Sequence, residues 1–247
     1  MLIDSHVHLK HGDADKTEYT AAAIVETMDA VGIDKSIVFA MSTTTRRSIE
    51  MARAAVDAYP DRLIPYVYAL PNYERPVLAE IDEAISARGF KGIKIHVGEC
   101  TLAEYVVNPV LRYAGEHGVP CLIDVGGRLG ALEDMLTAFP ETTIIVAHLG
   151  RYLCREEDPI DRCIDMAERH ENLVLDVSGV VLHDKIVDAV RRVGSARVTW
   201  GTDGPHLSPD TVGFARKELD PVRDLPLTDV EESDVMGGTI ATLLNIA

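Results

Sequence analysis

The chain opens with MLIDSHVHLKHGD (residues 1–13). Apolar residues lead into Asp4, His6 and His8, and His11 follows closely. Side chains alternate between the two faces of a strand, so residues 6 and 8 of a strand point the same way. A strand carrying His-x-His therefore sets two imidazoles side by side. That is half of a metal site if other ligands arrive from elsewhere, and only some folds bring distant strand ends to one place.

Working outward, the chain alternates short β-rich runs with longer helical patterns. The β-rich runs are 1–7, 35–41, 62–70, 92–97, 120–125, 142–149, 172–178 and 197–203. Helical patterns follow near 20–31 and at 45–59, 74–87, 103–117, 129–138, 160–169 and 183–193, with a last one at 234–246. Their apolar residues recur at spacings of three and four, as Ile49, Ala52 and Val56 do, which is the stripe of an amphipathic helix. Several β runs are almost continuously apolar, as strands buried on both faces are. Gly32, Pro60, Gly89, Gly118 and Pro140 punctuate the junctions. Eight β-α units in 247 residues predict an α/β protein, a (β/α)8 TIM barrel formed by residues 1–247 as a single domain. A doubly wound open sheet is the rival, but the glycine-rich dinucleotide fingerprint after the first strand is absent. Residues 204–233, rich in Pro and Asp, are the least periodic and read as a lid or irregular loop across the barrel mouth.

Composition narrows the function. Lys and Arg number 24 against 40 Asp and Glu, a net charge of −16. Such a surface repels phosphate backbones and anionic lipid, so no nucleic-acid or membrane partner is expected. An anionic small-molecule substrate remains compatible, because a local arginine cluster can overrule the average charge. The sequence holds no apolar run long enough to span a bilayer and does not start like a secretion signal. Its four cysteines, at 100, 121, 154 and 163, form no C-x-x-C pair. The expectation is a cytoplasmic protein with free thiols. A homo-oligomer is compatible with all of this.

In a barrel, the C-terminal ends of the strands ring one site. The first strand carries His6 and His8, and the fourth carries Lys94 and His96. Asp124, His148, Asp176 and Asp203 close the fifth to eighth runs. Buried charges cost several kcal/mol unless paired or metal-bound, so an ordinary core has no use for this set. Two imidazoles and the Asp203 carboxylate suit one divalent ion, Zn²⁺ first and Mn²⁺ second, with Asp124 as a fourth ligand. The ion would activate a water, His148 would act as base or electrophile, and Asp203 would also accept the proton. Plainer readings stand beside these. Asp203 precedes Gly-Pro and suits a turn, Asp124 precedes Val-Gly-Gly and suits hydrogen bonds to that turn, and Lys94 and His96, expected to touch the substrate, also suit ion pairs with carboxylates. Arg46, Arg128 and Arg151 lie in loops after the second, fifth and sixth strands, where a guanidinium would grip a substrate carboxylate bidentately. His11, His117, His170 and His183 carry less, and Trp200 reads as barrel packing.

The stretches IDSHVH (3–8), GFKGIKIH (89–96), IIVAHLG (144–150), LVLDVSG (173–179) and VTWGTDGP (198–205) together resemble the amidohydrolase-related family of metal-dependent hydrolases and decarboxylases, the group of aminocarboxymuconate-semialdehyde decarboxylase. The closing VMGGTIATLLNI (235–246) fits as well. The resemblance implies a distorted (β/α)8 barrel holding one divalent metal, usually zinc and sometimes manganese. It implies His6, His8 and Asp203 as ligands and His148 as the acid-base or activating residue. The reactions it implies are hydrolysis of C–C bonds or lactones and non-oxidative decarboxylation of aromatic or enoic acids. One position departs: where relatives end the fifth strand in histidine, this chain has Asp124 in LIDVGG. A carboxylate there adds negative charge and favours harder ions. The chain is also short for a decarboxylase of this kind. Hydrolysis of a small carboxylated substrate (lactone, amide or C–C bond) is therefore the first expectation. Decarboxylation of an aromatic or unsaturated acid is the alternative, and a catalytically weak barrel with a binding role is a second.

Overall fold

The computed structural model describes residues 1–246. Its first four strands are β1 (Ile3–Lys10), β2 (Lys35–Ala40), β3 (Leu63–Tyr68) and β4 (Gly92–His96). The next four are β5 (Cys121–Asp124), β6 (Ile144–Val146), β7 (Leu173–Asp176) and β8 (Val198–Thr199). They pair in sequence order, each parallel to the next. The sheet then comes round on itself. The Ser5 amide donates to the Trp200 carbonyl over 3.2 Å, and the His8 amide donates to the Gly204 carbonyl over 2.7 Å. The (β/α)8 barrel expected from the alternation is the fold.

The surrounding helices are α1 (Ala21–Val31), α2 (Thr45–Ala58), α3 (Leu78–Asp82), α4 (Glu104–His117) and α5 (Leu129–Ala138). After them come α6 (Glu157–Arg169), α7 (Asp184–Val193), α8 (Thr211–Arg223), α9 (Asp229–Ser233) and α10 (Thr239–Leu244). Thr20 and Thr44 cap α1 and α2 by accepting an amide hydrogen bond in the first turn. Gly32 ends α1 in the left-handed conformation. The third helix is shorter than its periodicity suggested: α3 starts at Leu78 and continues as a π turn over Glu83–Ala87.

The segment 204–233 corrects the sequence reading. It is not a lid, because α8 and α9 fill most of it. The side chain of Asp210 caps α8 by accepting from the Gly213 amide. Phe214, Ala215, Leu219 and Val222 bury its inner face. Gly213 and Pro221 blur the apolar stripe, and Pro221, near the end of α8, cannot donate to the carbonyl of Lys217. Only the stretch before α8 approaches the mouth.

The barrel interior is divided by height. Ile3, Ile37, Phe39, Ile64, Tyr66, Leu122, Ile145 and Val174 form an apolar cluster, with Ile240 and Leu244 of α10 packed into it. Tyr66 needs space here. A Cβ on Gly92 would lie 2.4 Å from its ring, so only glycine fits that position of β4. Toward the C-terminal ends of the strands the buried residues change to His6, His8, Lys94, Asp124, His148 and Asp176. The register of β1 against β2 shifts between Asp4 and Val7. That irregularity takes in His6, just past Ile3, which packs in the apolar cluster.

Candidate metal centre and active site

The C-terminal mouth holds a cavity of about 310 Å³ lined by His6, His8, His11, Met41, His96, Asp124, His148, Tyr152, Asp203 and His206, with Gly12 and Asp13 at its edge. Six of the nine histidines of the chain meet there, drawn from β1, β4 and the loops after β1, β6 and β8. His148 lies beyond the end of β6, in a turn where His148, Leu149 and Gly150 all have positive φ. Asp203 lies beyond β8 with φ of 56°. Left-handed backbone at a residue with a Cβ costs about 1 kcal/mol or more. The hydrogen bonds of these side chains show what holds the turns.

His6 Nδ1 donates to Asp176 Oδ2 over 2.8 Å, which leaves a lone pair on His6 Nε2. That nitrogen faces Asp203 Oδ1 at 3.1 Å. His8 Nε2 meets the same oxygen at 2.9 Å, while His8 Nδ1 is buried without a partner. Two electron-pair donors, His6 Nε2 and Asp203 Oδ1, thus stand at contact distance, with the Lys94 ammonium 2.9 Å from the nitrogen, an arrangement that suits a shared cation. Burial lowers the pKa of both imidazoles and so favours their neutral, ligating form. Burial pushes the Asp203 carboxyl up, but the surrounding His6, His148 and His8 outweigh it and hold Asp203 ionised. The donor atoms of His6, His8 and Asp203 all lie within 4.8 Å of one another. Two neutral nitrogens and a carboxylate oxygen fit a divalent ion, and the Asp176–His6 bond is the outer support such a ligand needs. His6, His148 and Asp176 also converge, but they are hydrogen-bonded around Ser178. Its hydroxyl donates to Asp176 Oδ2 over 2.7 Å, and His148 Nδ1 donates to its carbonyl over 2.8 Å.

Asp124, expected as the fourth ligand, stands apart from that donor group. Its Oδ1 accepts from the Gly126 amide over 2.7 Å. Its Oδ2 lies 3.1 Å from His96 Nε2 and 3.6 Å from His148 Nε2. Because His96 Nδ1 accepts from the Gly98 amide, His96 Nε2 carries the hydrogen and donates to Asp124. Burial raises the Asp124 carboxyl, but hydrogen bonds with His148 and His96 overcome this and keep it well below the usual range. Burial lowers His148, yet Asp203, Asp124 and Asp176 together raise it to about 9. The cavity thus has a donor set on one side and an Asp124-centred pair of imidazoles on the other.

Lys94 is fully buried, with Nζ 2.9 Å from His6 Nε2. Arg46 leaves the site: its guanidinium pairs with Glu83 over 2.8 Å, between α2 and the π turn. Arg128 and Arg151 are exposed on the loops that follow Asp124 and His148, outside the cavity lining. The Arg151 stem lies 3.5 Å from where a Cβ on Gly127 would stand.

Two cavity residues, Tyr152 and His206, were not singled out from the sequence, and a third, His11, was given little weight. His11, held by its 2.6 Å bond to the Pro205 carbonyl, stacks between His8 and His206 at centroid separations of 4.4 and 4.3 Å. Tyr152 packs edge-on to His148. Gly179, with φ of 63°, makes room for it, since a Cβ there would lie 2.3 Å from the Tyr152 ring. Burial, then Asp203 and Glu218, raise the Tyr152 phenol to about 12, so it stays a donor. The only sequence signal for His206 was its place in the TWGTDGPH run.

The amidohydrolase family profile matches residues 3–246. The chain belongs to the amidohydrolase family. No curated protein matches it, but solved structures share its fold. A zinc-bound amidohydrolase from Burkholderia multivorans aligns with a TM-score of 0.78 at 15% identity over 100% of both chains. The 5-carboxyvanillate decarboxylase of Sphingomonas paucimobilis aligns with a TM-score of 0.77 at 14% identity, covering 100% of this chain and 99% of that one. The 4-oxalomesaconate hydratase of Rhodopseudomonas palustris aligns at 0.72 and 14% identity over 99% and 96% of the two chains. Among the described residues of this family member, no helix is long and apolar enough to cross a membrane.

Proposed function

We propose that this amidohydrolase is a metal-dependent enzyme that removes CO2 from a small aromatic or unsaturated carboxylic acid. Asp124 at the end of the fifth strand and the chain length had put hydrolysis first. The order is reversed because of one observation: with Nδ1–H fixed on the Ser178 carbonyl, His148 turns Nε2 into the cavity beside the Asp124 carboxylate at 3.6 Å, where nearby carboxylates favour its protonated form and make it a proton donor. Decarboxylation ends by protonating the carbon that loses CO2, and a protonated imidazole suits that step better than it suits the abstraction of a proton from water. The decarboxylase among the similar folds, and the hydratase named for an unsaturated acid, support the substrate class.

His6, His8 and Asp203 would hold the ion, Zn²⁺ first and Mn²⁺ second. When bound, it would supply Lewis-acid polarisation of a substrate oxygen beside the reacting carbon. The chain's own residues do the rest. The Ser178 carbonyl fixes His148 Nδ1–H, so Nε2 is the atom that delivers the proton into the cavity. Asp124 holds that proton in readiness, and His96 keeps Asp124 in place. Tyr152 donates a hydrogen bond from the rim. The step balances as loss of CO2 from the carboxylate and gain of one proton at the same carbon.

Hydrolysis remains the second reading. Asp203, whose side chain keeps 15% exposure, is placed to accept a proton from a water in the cavity. The test incubates the protein, loaded with Zn²⁺ or Mn²⁺, with hydroxybenzoates, unsaturated dicarboxylic acids and lactones. Release of CO2 with solvent deuterium entering the product is the expected result. Ring opening of lactones with no CO2 from any acid would replace decarboxylation by hydrolysis.

A further inference from the structure

Lys94 lies at the centre of the barrel and has no part in the mechanism above. It is fully buried, and among the described residues its one hydrogen-bond partner is His6 Nε2, at 2.9 Å. It also lies 5.1 Å from the centre of the Phe39 ring. Burial lowers the pKa of its ammonium, and three carboxylates, Asp124, Asp203 and Asp176, act against that by attracting its charge. An ammonium group there offsets negative charge that a barrel interior would otherwise leave uncompensated.

The geometry at His6 sets up a conflict. Nδ1 is committed as a donor to Asp176, so Nε2 has a single in-plane lone pair. That pair accepts an N–H from Lys94 or binds an ion, and it cannot do both. We infer that Lys94 is the resident cation of the metal-free site, and that a metal ion must displace it from His6 Nε2 in order to bind. This rests on reading His6, His8 and Asp203 as metal ligands. It goes beyond that reading because it gives a non-ligand control over metal uptake.

The test measures Zn²⁺ affinity of the purified protein by competition with a chromophoric chelator. Lys94→Met should bind Zn²⁺ more tightly than the parent by roughly tenfold, since binding no longer breaks a charge-assisted bond. Lys94→Gln keeps an N–H donor without the charge and should fall between the two. The metal-free Lys94→Met protein should melt at a lower temperature than the metal-free parent and should regain the difference on adding Zn²⁺. Independently of any variant, crystals of the parent grown with EDTA and with Zn²⁺ should differ. The Lys94 Nζ–His6 Nε2 contact should be present in the first and open beyond about 3.5 Å in the second. Equal or weaker Zn²⁺ binding by both variants, or an unbroken contact in the zinc-bound parent, overturns the inference and leaves the metal centre standing. Weaker binding would make Lys94 a ligand. Absence of Zn²⁺ binding by the parent and both variants would remove the metal reading and the inference together, whereas binding by the variants alone would be its strongest support.

Discussion

His6 Nδ1 donates to Asp176 Oδ2 across 2.8 Å, joining the first strand of the barrel to the seventh. That bond selects the tautomer of His6 and turns its other nitrogen toward Asp203. Asp176→Asn removes the charge behind the bond and lets the ring change tautomer. Zn²⁺ affinity should fall by about 10- to 100-fold, the usual effect of losing such an outer partner. A chelator competition titration measures it, and an unchanged affinity would show that Asp176 only fills space.

The double variant His6→Ala/His8→Ala tests the centre itself. Both nitrogen donors disappear, so tight Zn²⁺ or Mn²⁺ binding should be lost. The barrel should persist, because the apolar cluster of Ile37, Ile64, Tyr66 and Leu122 is left intact, and of its aromatic rings only Phe39 packs against the two imidazoles. Elemental analysis and circular dichroism together check this. Stoichiometric metal in the folded double variant would refute the assignment.

Asp124 separates support from ligation. Its oxygens contact Gly126, His96 and His148. Asp124→Ala should therefore change Zn²⁺ affinity by roughly threefold at most, while turnover drops about 100-fold with the loss of the partner of His148. A true ligand would behave the other way, since one donor of so few governs affinity.

The charge on His148 sets a pH dependence in the metal-free protein. Its folded pKa, about 9, lies above the ordinary 6.5. The stabilisation from its protonated form is thus complete below pH 6.5 and is lost as the pH rises through about 9. Melting temperatures of the metal-free parent should fall over that interval more steeply than those of His148→Gln. Parallel curves for the two proteins would remove His148 as the source.

The thiols should be inert. Cys100, Cys121, Cys154 and Cys163 are all buried and free. Burial raises Cys100 to about 11 and both Cys121 and Cys163 to about 12. At pH 8 these three stay protonated, and iodoacetamide should label none of the four until denaturant unfolds the chain. Rapid labelling of the native protein would contradict this.

The sequence by itself determined the barrel and the first half of its site. Repeated alternation of apolar runs with amphipathic helices admits few folds, and a His-x-His strand has one geometry whatever surrounds it. The sequence also marked His148 and Asp203, because polar residues at the ends of buried strands need a reason to be there. It could not read residues 204–233, where Gly213 and Pro221 mask the stripe of α8 and burial against the barrel wall stabilises the helix instead. Nor could it choose among the partners of Asp124, Lys94 and Arg46. Each of these side chains meets whichever opposite charge or donor the folded chain brings within about 3 Å: His96 for Asp124, His6 for Lys94 and Glu83 for Arg46. Such distances arise between residues 28 to 88 positions apart, and local sequence carries no record of them. The same holds for His11, which becomes part of the site through its bond to Pro205, a residue 194 positions away.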